Sequence, residues 1–177
     1  MNPPSLTMEE EEEEEEERHA RRAKCMVVTA AELGHVEDLR LLLAAKANVD
    51  ETYDDEFCDP DDDENTAMWW AARNGHANAV QVLIDGKADI NQWEQPFTEA
   101  AEMGHTNVLQ VLITAKTDVN MRFDCYPPLC VAVEAGQIEA VKVLLAAKAD
   151  AAQGDTAVVE ALSMNNIDIL RVLIGAK

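Results

Sequence analysis

The stretch Thr66–Asn91, TAMWWAARNGHANAVQVLIDGKADIN, decides the fold of this chain. Its apolar residues recur at the three- and four-residue intervals of two short helices, which are separated by Gly75-His76. Gly86-Lys87 follows the second helix and marks a turn, and the chain then leaves in an extended segment through Ile90. The stretch therefore predicts one short helix-turn-helix unit.

Four more copies of this unit can be found along the chain. The junction between the two helices, Ala-Ala-x-x-Gly-His in its fullest form, has counterparts that begin at Ala30, Ala100, Ala132 and Ala161. Each copy ends on a lysine, and these residues are Lys46, Lys87, Lys116, Lys148 and Lys177. A pattern that recurs with a period of about 33 residues indicates an array of stacked repeats.

The repeated pattern resembles the ankyrin repeat over residues 25–177, with copies at about 25–50, 64–91, 95–120, 127–150 and 156–177. The resemblance implies an all-α solenoid of helix-turn-helix units with short hairpin-like turns. A tail over residues 1–24 precedes this ankyrin repeat domain, and an acidic insertion over residues 50–64 interrupts it. Thr66 begins the segment that matches the family's Thr-Pro-Leu-His motif, and its hydroxyl is expected to cap the first helix. Pro96 stands at the first helical position, where its missing N–H costs nothing.

Two substitutions depart from the family's pattern. The family usually has glycine after the second helix, where this chain has its five lysines. Lysine there is expected to adopt a costly left-handed backbone, while its charge suits the negative end of the helix. The lysines could instead form a ladder that binds an anionic strip. Asn165 replaces the glycine between the helices of repeat five, and asparagine tolerates the left-handed backbone that glycine provides.

The end of the chain keeps the apolar pattern of an internal repeat, at Ile167, Ile169, Val172, Leu173 and Ile174. Solenoids need a polar outer face on their terminal unit. The sequence therefore predicts that this C-terminal end packs on further repeats or on another subunit.

Acidic residues dominate the charge of the chain. There are 35 acidic and 14 basic residues, which gives a formal net charge of −21. Nine acids form the run Glu9–Glu17, and ten more lie within Asp50–Glu64. Nucleic acids and anionic membranes are excluded as partners because phosphate binding requires clustered lysine and arginine. A basic protein is compatible with this charge.

The acidic tail allows two interpretations. Consecutive glutamates repel one another in a fixed structure, which favours disorder. Glu14 and Arg18 are four residues apart in the order that stabilises a helix, and such a helix could cap the first repeat.

Other sequence features bear on the location of the protein. No apolar run approaches the roughly 20 residues of a membrane span, and the N-terminus does not resemble a secretory signal. The four cysteines are expected to be free thiols. These features predict an intracellular location, cytoplasmic or nuclear.

No catalytic arrangement is apparent in the sequence. His35, His76 and His105 occupy the same position of successive repeats, about 8–10 Å apart, which is too far to share a metal ion. The sequence has no nucleophile elbow and no phosphate-binding glycine loop. It therefore predicts a protein that is not an enzyme and that uses no metal or cofactor.

The resemblance implies that a partner protein binds the concave face, made by the turn tips and the exposed sides of the first helices. Aromatic side chains are the usual anchors of interfaces, which points to Trp93, Phe123, Tyr126 and Met103. The alternative is that Trp93 and Phe123 pack against neighbouring turns. The first helices contribute Arg73, Asn74, Glu102, Glu134 and Met164 to the same face.

These observations predict a non-catalytic protein-binding module, an adaptor or scaffold. One alternative is an acidic chaperone or buffer for basic proteins, in which the two acidic blocks bind. Another is a structural subunit of a larger assembly. Since ionic strength weakens contacts made by exposed charges, salt dependence separates the first two.

Overall fold

A computed structural model describes residues 26–50, 52, 65–90, 96–121, 127–149 and 154–176. The tail over residues 1–24, most of the acidic insertion, Lys177 and the turn residues Trp93, Phe123 and Tyr126 lie outside the described residues.

The described residues form five pairs of helices. The first pair is α1 (26–32) and α2 (Val36–Ala44), and the next two are α3 (Ala67–Arg73) with α4 (Ala77–Asp85) and α5 (Pro96–Glu102) with α6 (Thr106–Thr114). The last two are α7 (Pro128–Glu134) with α8 (Ile138–Ala146) and α9 (Gly154–Ser163) with α10 (Ile167–Gly175). Among these residues there is no strand, only an isolated antiparallel bridge between Thr52 and Thr66. The predicted all-α repeat fold is confirmed.

The helices lie in two layers. Helices α3, α5, α7 and α9 pack side by side in one layer, and α2, α4, α6, α8 and α10 pack side by side in the other. Each first helix from α3 onward also packs on the second helix of its own pair. Each pair therefore buries its apolar faces against both its own partner helix and its neighbours in the array.

Small and large side chains divide the core between the two layers. Ala71, Ala72, Ala100 and Ala101 on the first helices are fully buried, which lets adjacent backbones approach closely. Larger residues fill the space on the second helices, where Leu83, Leu112 and Leu144 are fully buried. Each fully buried leucine contributes roughly 1.5–3 kcal/mol relative to an exposed one.

The helix starts follow the predicted chemistry. Thr66 is buried, and its Oγ1 accepts a hydrogen bond from the backbone N–H of Trp69 at 3.3 Å. Helix α5 begins at Pro96 and α7 at Pro128. The cap and the proline position are therefore as expected.

The backbone is left-handed where lysine replaces glycine. The φ angles are 63° at Lys46, 67° at Lys87, 68° at Lys116 and 65° at Lys148. After α4, Lys87 N–H donates to the carbonyl of Ile84 and Ala88 N–H to that of Leu83, both at 2.9 Å, which is a Schellman motif. Asn165 also has a positive φ, 54°. The expected left-handed backbone is confirmed at these five positions.

Candidate partner-binding surface

The C-terminal ends of the first helices are tied to the next repeat by side-chain hydrogen bonds. The Nε2 atom of His76 lies 3.0 Å from the carbonyl oxygen of Glu32, and Nε2 of His105 lies 2.9 Å from that of Arg73. Gln137 donates from Nε2 to the carbonyl of Glu102 at 3.0 Å. Because a carbonyl oxygen only accepts, both histidines donate from Nε2. The helix ends that carry the predicted surface residues are thus held in register.

Glycine makes room for these side chains. Gly34, Gly75 and Gly104 have positive φ angles of 69°, 76° and 74°. A β-carbon on Gly34 would lie 2.7 Å from the ring of His76, and one on Gly75 would lie 2.7 Å from the ring of His105. The close approach fixes both the backbone and the side chain that lies on it.

The predicted surface residues occupy equivalent positions on successive helices. Asn74, Glu102, Glu134 and Met164 are exposed, and Met103 is half-buried. Asn74 also donates from Nδ2 to the carbonyl of Glu32 at 3.1 Å, so it links two repeats. The predicted anchors Trp93, Phe123 and Tyr126 remain predictions because they lie outside the described residues.

A second group of side chains lies beside this row, and we call Trp69, Trp70, Arg73 and Glu99 the tryptophan–arginine cluster. The rings of Trp69 and Trp70 meet edge to face with centroids 5.0 Å apart. The Cζ atom of Arg73 lies 5.0 Å from the centroid of the Trp69 ring. Arg73 also donates from Nη1 to Oε1 of Glu99 on the next first helix. An aromatic face, a cation and a carboxylate are therefore fixed together.

The cluster was only partly predictable from the sequence. Trp70 is half-buried and packs against the core, in agreement with its predicted core position. Its indole nitrogen is buried without a hydrogen-bond partner. Sequence reasoning missed the pairing of Arg73, although two signals were present. Arg73 lies one helical turn after Trp69, and Glu99 occupies in α5 the position that Trp70 has in α3.

Charge along the described first helices is mostly negative. Glu32, Glu99, Glu102, Glu134 and Glu160 contribute carboxylates, and Arg73 is the basic residue among the described side chains of these helices. Burial raises the pKa of the Glu99 carboxyl; the positive charge of Arg73 opposes this shift, and nearby Glu102 adds to it. The surface therefore attracts a basic segment rather than an acidic one.

The described residues contain no group of three His, Cys, Asp or Glu side chains placed to hold a metal ion. None of the helices in the described ranges has both the length and the apolar character needed to cross a membrane.

A family model described as Ankyrin repeats (3 copies) matches residues 28–123 and, in a second placement, residues 97–177. A comparison with curated proteins found no match. The two matched ranges span most of the chain and all five helix pairs. Ankyrin repeats are protein–protein interaction modules, and the family is typically non-catalytic. The chain belongs to the ankyrin repeat family.

Proposed function

We propose that this chain is a non-catalytic adaptor or scaffold that binds a basic segment of a partner protein on the exposed side of its first helices. The observation that supports this most is the tryptophan–arginine cluster next to the exposed carboxylates of Glu102 and Glu134. It combines an aromatic anchor with a local excess of negative charge.

Preorganisation supports the proposal. Trp69 is held by its contacts with Trp70 and Arg73, and the backbone beneath Arg73 is bonded to His105. A partner therefore does not have to order these groups on binding, which lowers the entropic cost of association. Aromatic and arginine side chains are the residues that most often dominate binding energy at interfaces.

Charge supports the choice of a basic partner. Exposed acids on the binding surface would meet lysine or arginine of the partner at short range. The acidic blocks Glu9–Glu17 and Asp50–Glu64 would add long-range attraction, which raises the association rate more than the affinity. In this proposal Trp93, Phe123, Tyr126 and Met103 provide further apolar anchors.

The test is a quantitative pull-down from cell lysate with charge-reversed baits. One bait carries Glu102→Lys and Glu134→Lys on the first helices, and its control carries Glu37→Lys and Glu139→Lys on the second helices. All four carboxylates are exposed, so the two baits change the net charge equally without disturbing the core. We expect a defined partner to be lost from the first bait and kept by the control.

Further baits separate the alternatives. One carries Trp69→Ala, one carries Trp93→Ala, Phe123→Ala and Tyr126→Ala together, and one lacks residues 1–24. Loss of the same partner from either aromatic bait supports an anchored interface. If both charge-reversed baits lose partners equally, and truncation removes a broad set of basic proteins, the acidic chaperone is the better account.

A further inference from the structure

The last helix pair presents an apolar surface to solvent, which we call the terminal face and define as Val159, Leu162 and Ile174. These side chains are 62%, 59% and 66% exposed. Two of them lie on α9 and one on α10, so the surface spans both helices of the pair. Exposing large aliphatic side chains to water is unfavourable, at about 25 cal/mol per Å².

Equivalent residues in the other repeats are covered by the following repeat. The counterparts of Leu162 are fully buried, and they are Ala31, Ala72, Ala101 and Val133. Leu43, the counterpart of Ile174 in the first repeat, reaches into the next one, where its Cδ1 would be 2.7 Å from a β-carbon on Gly86. The terminal face therefore continues the interface that joins each repeat to its successor.

The opposite end of the array does not offer the matching surface. Asp38 on α2 occupies a position that is apolar and fully buried in the other repeats, at Ala79, Val108, Ala140 and Ile169. Asp38 is instead exposed, and its Oδ2 lies 3.4 Å from Nδ1 of His35. A copy that stacked its first repeat on the terminal face would bury this carboxylate, which is costly. Head-to-tail association is therefore disfavoured.

The charge distribution favours contact between two terminal faces. Residues 1–64 contain 22 acids and 6 bases, whereas residues 127–177 contain 6 acids and 4 bases. Two copies that meet at their terminal faces keep their acidic halves apart by several repeats of about 8–10 Å each. That distance exceeds the screening length of about 8 Å at physiological salt. Tail-to-tail contact is thus the arrangement with the least repulsion.

The edge of the terminal face is complementary to itself. Asp168 and Arg171 on α10 are both exposed, and Arg171 Nη1 lies 3.4 Å from Asp168 Oδ1. A two-fold axis brings the same surface of two copies together, so an acid and a base at one edge can pair with their counterparts.

We propose that a second copy of this chain covers the terminal face, tail to tail, in a two-fold symmetric dimer. Such a contact closes at two copies because each chain has used its only terminal face. One helix pair per copy makes a small interface, which places the association in the weak, transient class. The dimer uses a surface other than the first-helix binding surface, so it does not depend on the proposed function.

Sedimentation velocity of the full chain, over low to high micromolar concentrations, tests the proposal. We expect a concentration-dependent dimer and no larger species. Leu162→Glu should remain a monomer throughout. Leu41→Glu is the matched control because Leu41 is 69% exposed on α2 at the other end of the array, and this variant should dimerise like the parent chain.

Three results would overturn the proposal: a parent chain that stays monomeric, loss of the dimer in Leu41→Glu, or growth beyond two copies. The last two would indicate head-to-tail stacking. Circular dichroism at low concentration should show equal melting temperatures for both variants, since both leucines are exposed. If Leu162→Glu does not fold, Ile174→Lys provides the same test from α10.

Discussion

The imidazole of His105 fills the space that a side chain on Gly75 would need. A β-carbon on Gly75 would lie 2.7 Å from Nδ1 of His105, and Nε2 of the same ring lies 2.9 Å from the carbonyl oxygen of Arg73. Gly75 also has a φ of 76°, which other residues adopt only at a cost. Glycine is therefore required here by both conformation and contact.

Gly75→Ala should destabilise the protein more than Gly136→Ala. Both positions have a left-handed backbone, with φ angles of 76° and 73°, so both variants lose roughly 1 kcal/mol from strain. A β-carbon on Gly136 meets nothing within 4 Å, whereas one on Gly75 collides with His105. The collision should add about 1–3 kcal/mol. Urea denaturation measures both free energies of unfolding, and equal losses would contradict the steric argument.

His105→Gln should preserve most of the stability that His105→Ala loses. Gln137 already makes the equivalent bond one repeat later, from Nε2 to the carbonyl of Glu102. Alanine would leave the Arg73 carbonyl without this donor, at a cost of about 1–3 kcal/mol. His35→Ala is the control, since its exposed ring bonds to Asp38 instead of to a preceding repeat.

A double-mutant cycle sharpens this prediction. His105→Ala removes the ring that a β-carbon on Gly75 would meet. The double variant Gly75→Ala/His105→Ala should therefore lose less stability than the sum of the two single variants. Additive losses in urea denaturation would mean that the two residues are not coupled through this contact.

The helices and their left-handed turns could be predicted because local spacing determines them. Lys87 stands where the family usually has glycine, so its positive φ follows from the register of the repeat. The bond from His105 and the pairing of Arg73 with Glu99 could not be predicted with the same assurance. They depend on side-chain rotamers and on the offset between adjacent first helices, which are set by packing across repeats.

Lys148→Gly should stabilise the protein, whereas Lys142→Gly should destabilise it. Lys148 follows α8 with a φ of 65°, and relieving this strain is worth about 1 kcal/mol. Lys142 lies inside α8, where glycine costs about 1 kcal/mol relative to a good helix former. Thermal unfolding should show shifts of opposite sign. A loss in Lys148→Gly would mean that the lysine side chain contributes more than the strain costs.

Glu99→Gln should stabilise the protein at neutral pH. Burial raises the pKa of Glu99 above its ordinary value of 4.5, against the opposing charge of Arg73 and with a further contribution from Glu102. The folded protein then holds this proton more tightly than the unfolded chain, so the group lowers stability as pH rises from 4.5 through the raised pKa. The penalty is fully present above the raised pKa and absent below 4.5. Glutamine carries no charge and avoids it.

Urea denaturation at several pH values measures this difference between the variant and the parent chain. The advantage of Glu99→Gln should be largest near pH 7 and should disappear on acidification, because both side chains are then neutral. Other titrating groups cancel in the comparison since the two chains share them. Glu102→Gln is the matched control on the same helix, where the exposed carboxylate should produce a much smaller change. If Glu99→Gln is less stable at neutral pH, the ion pair with Arg73 outweighs the cost of burial, and the charge on Glu99 is stabilising.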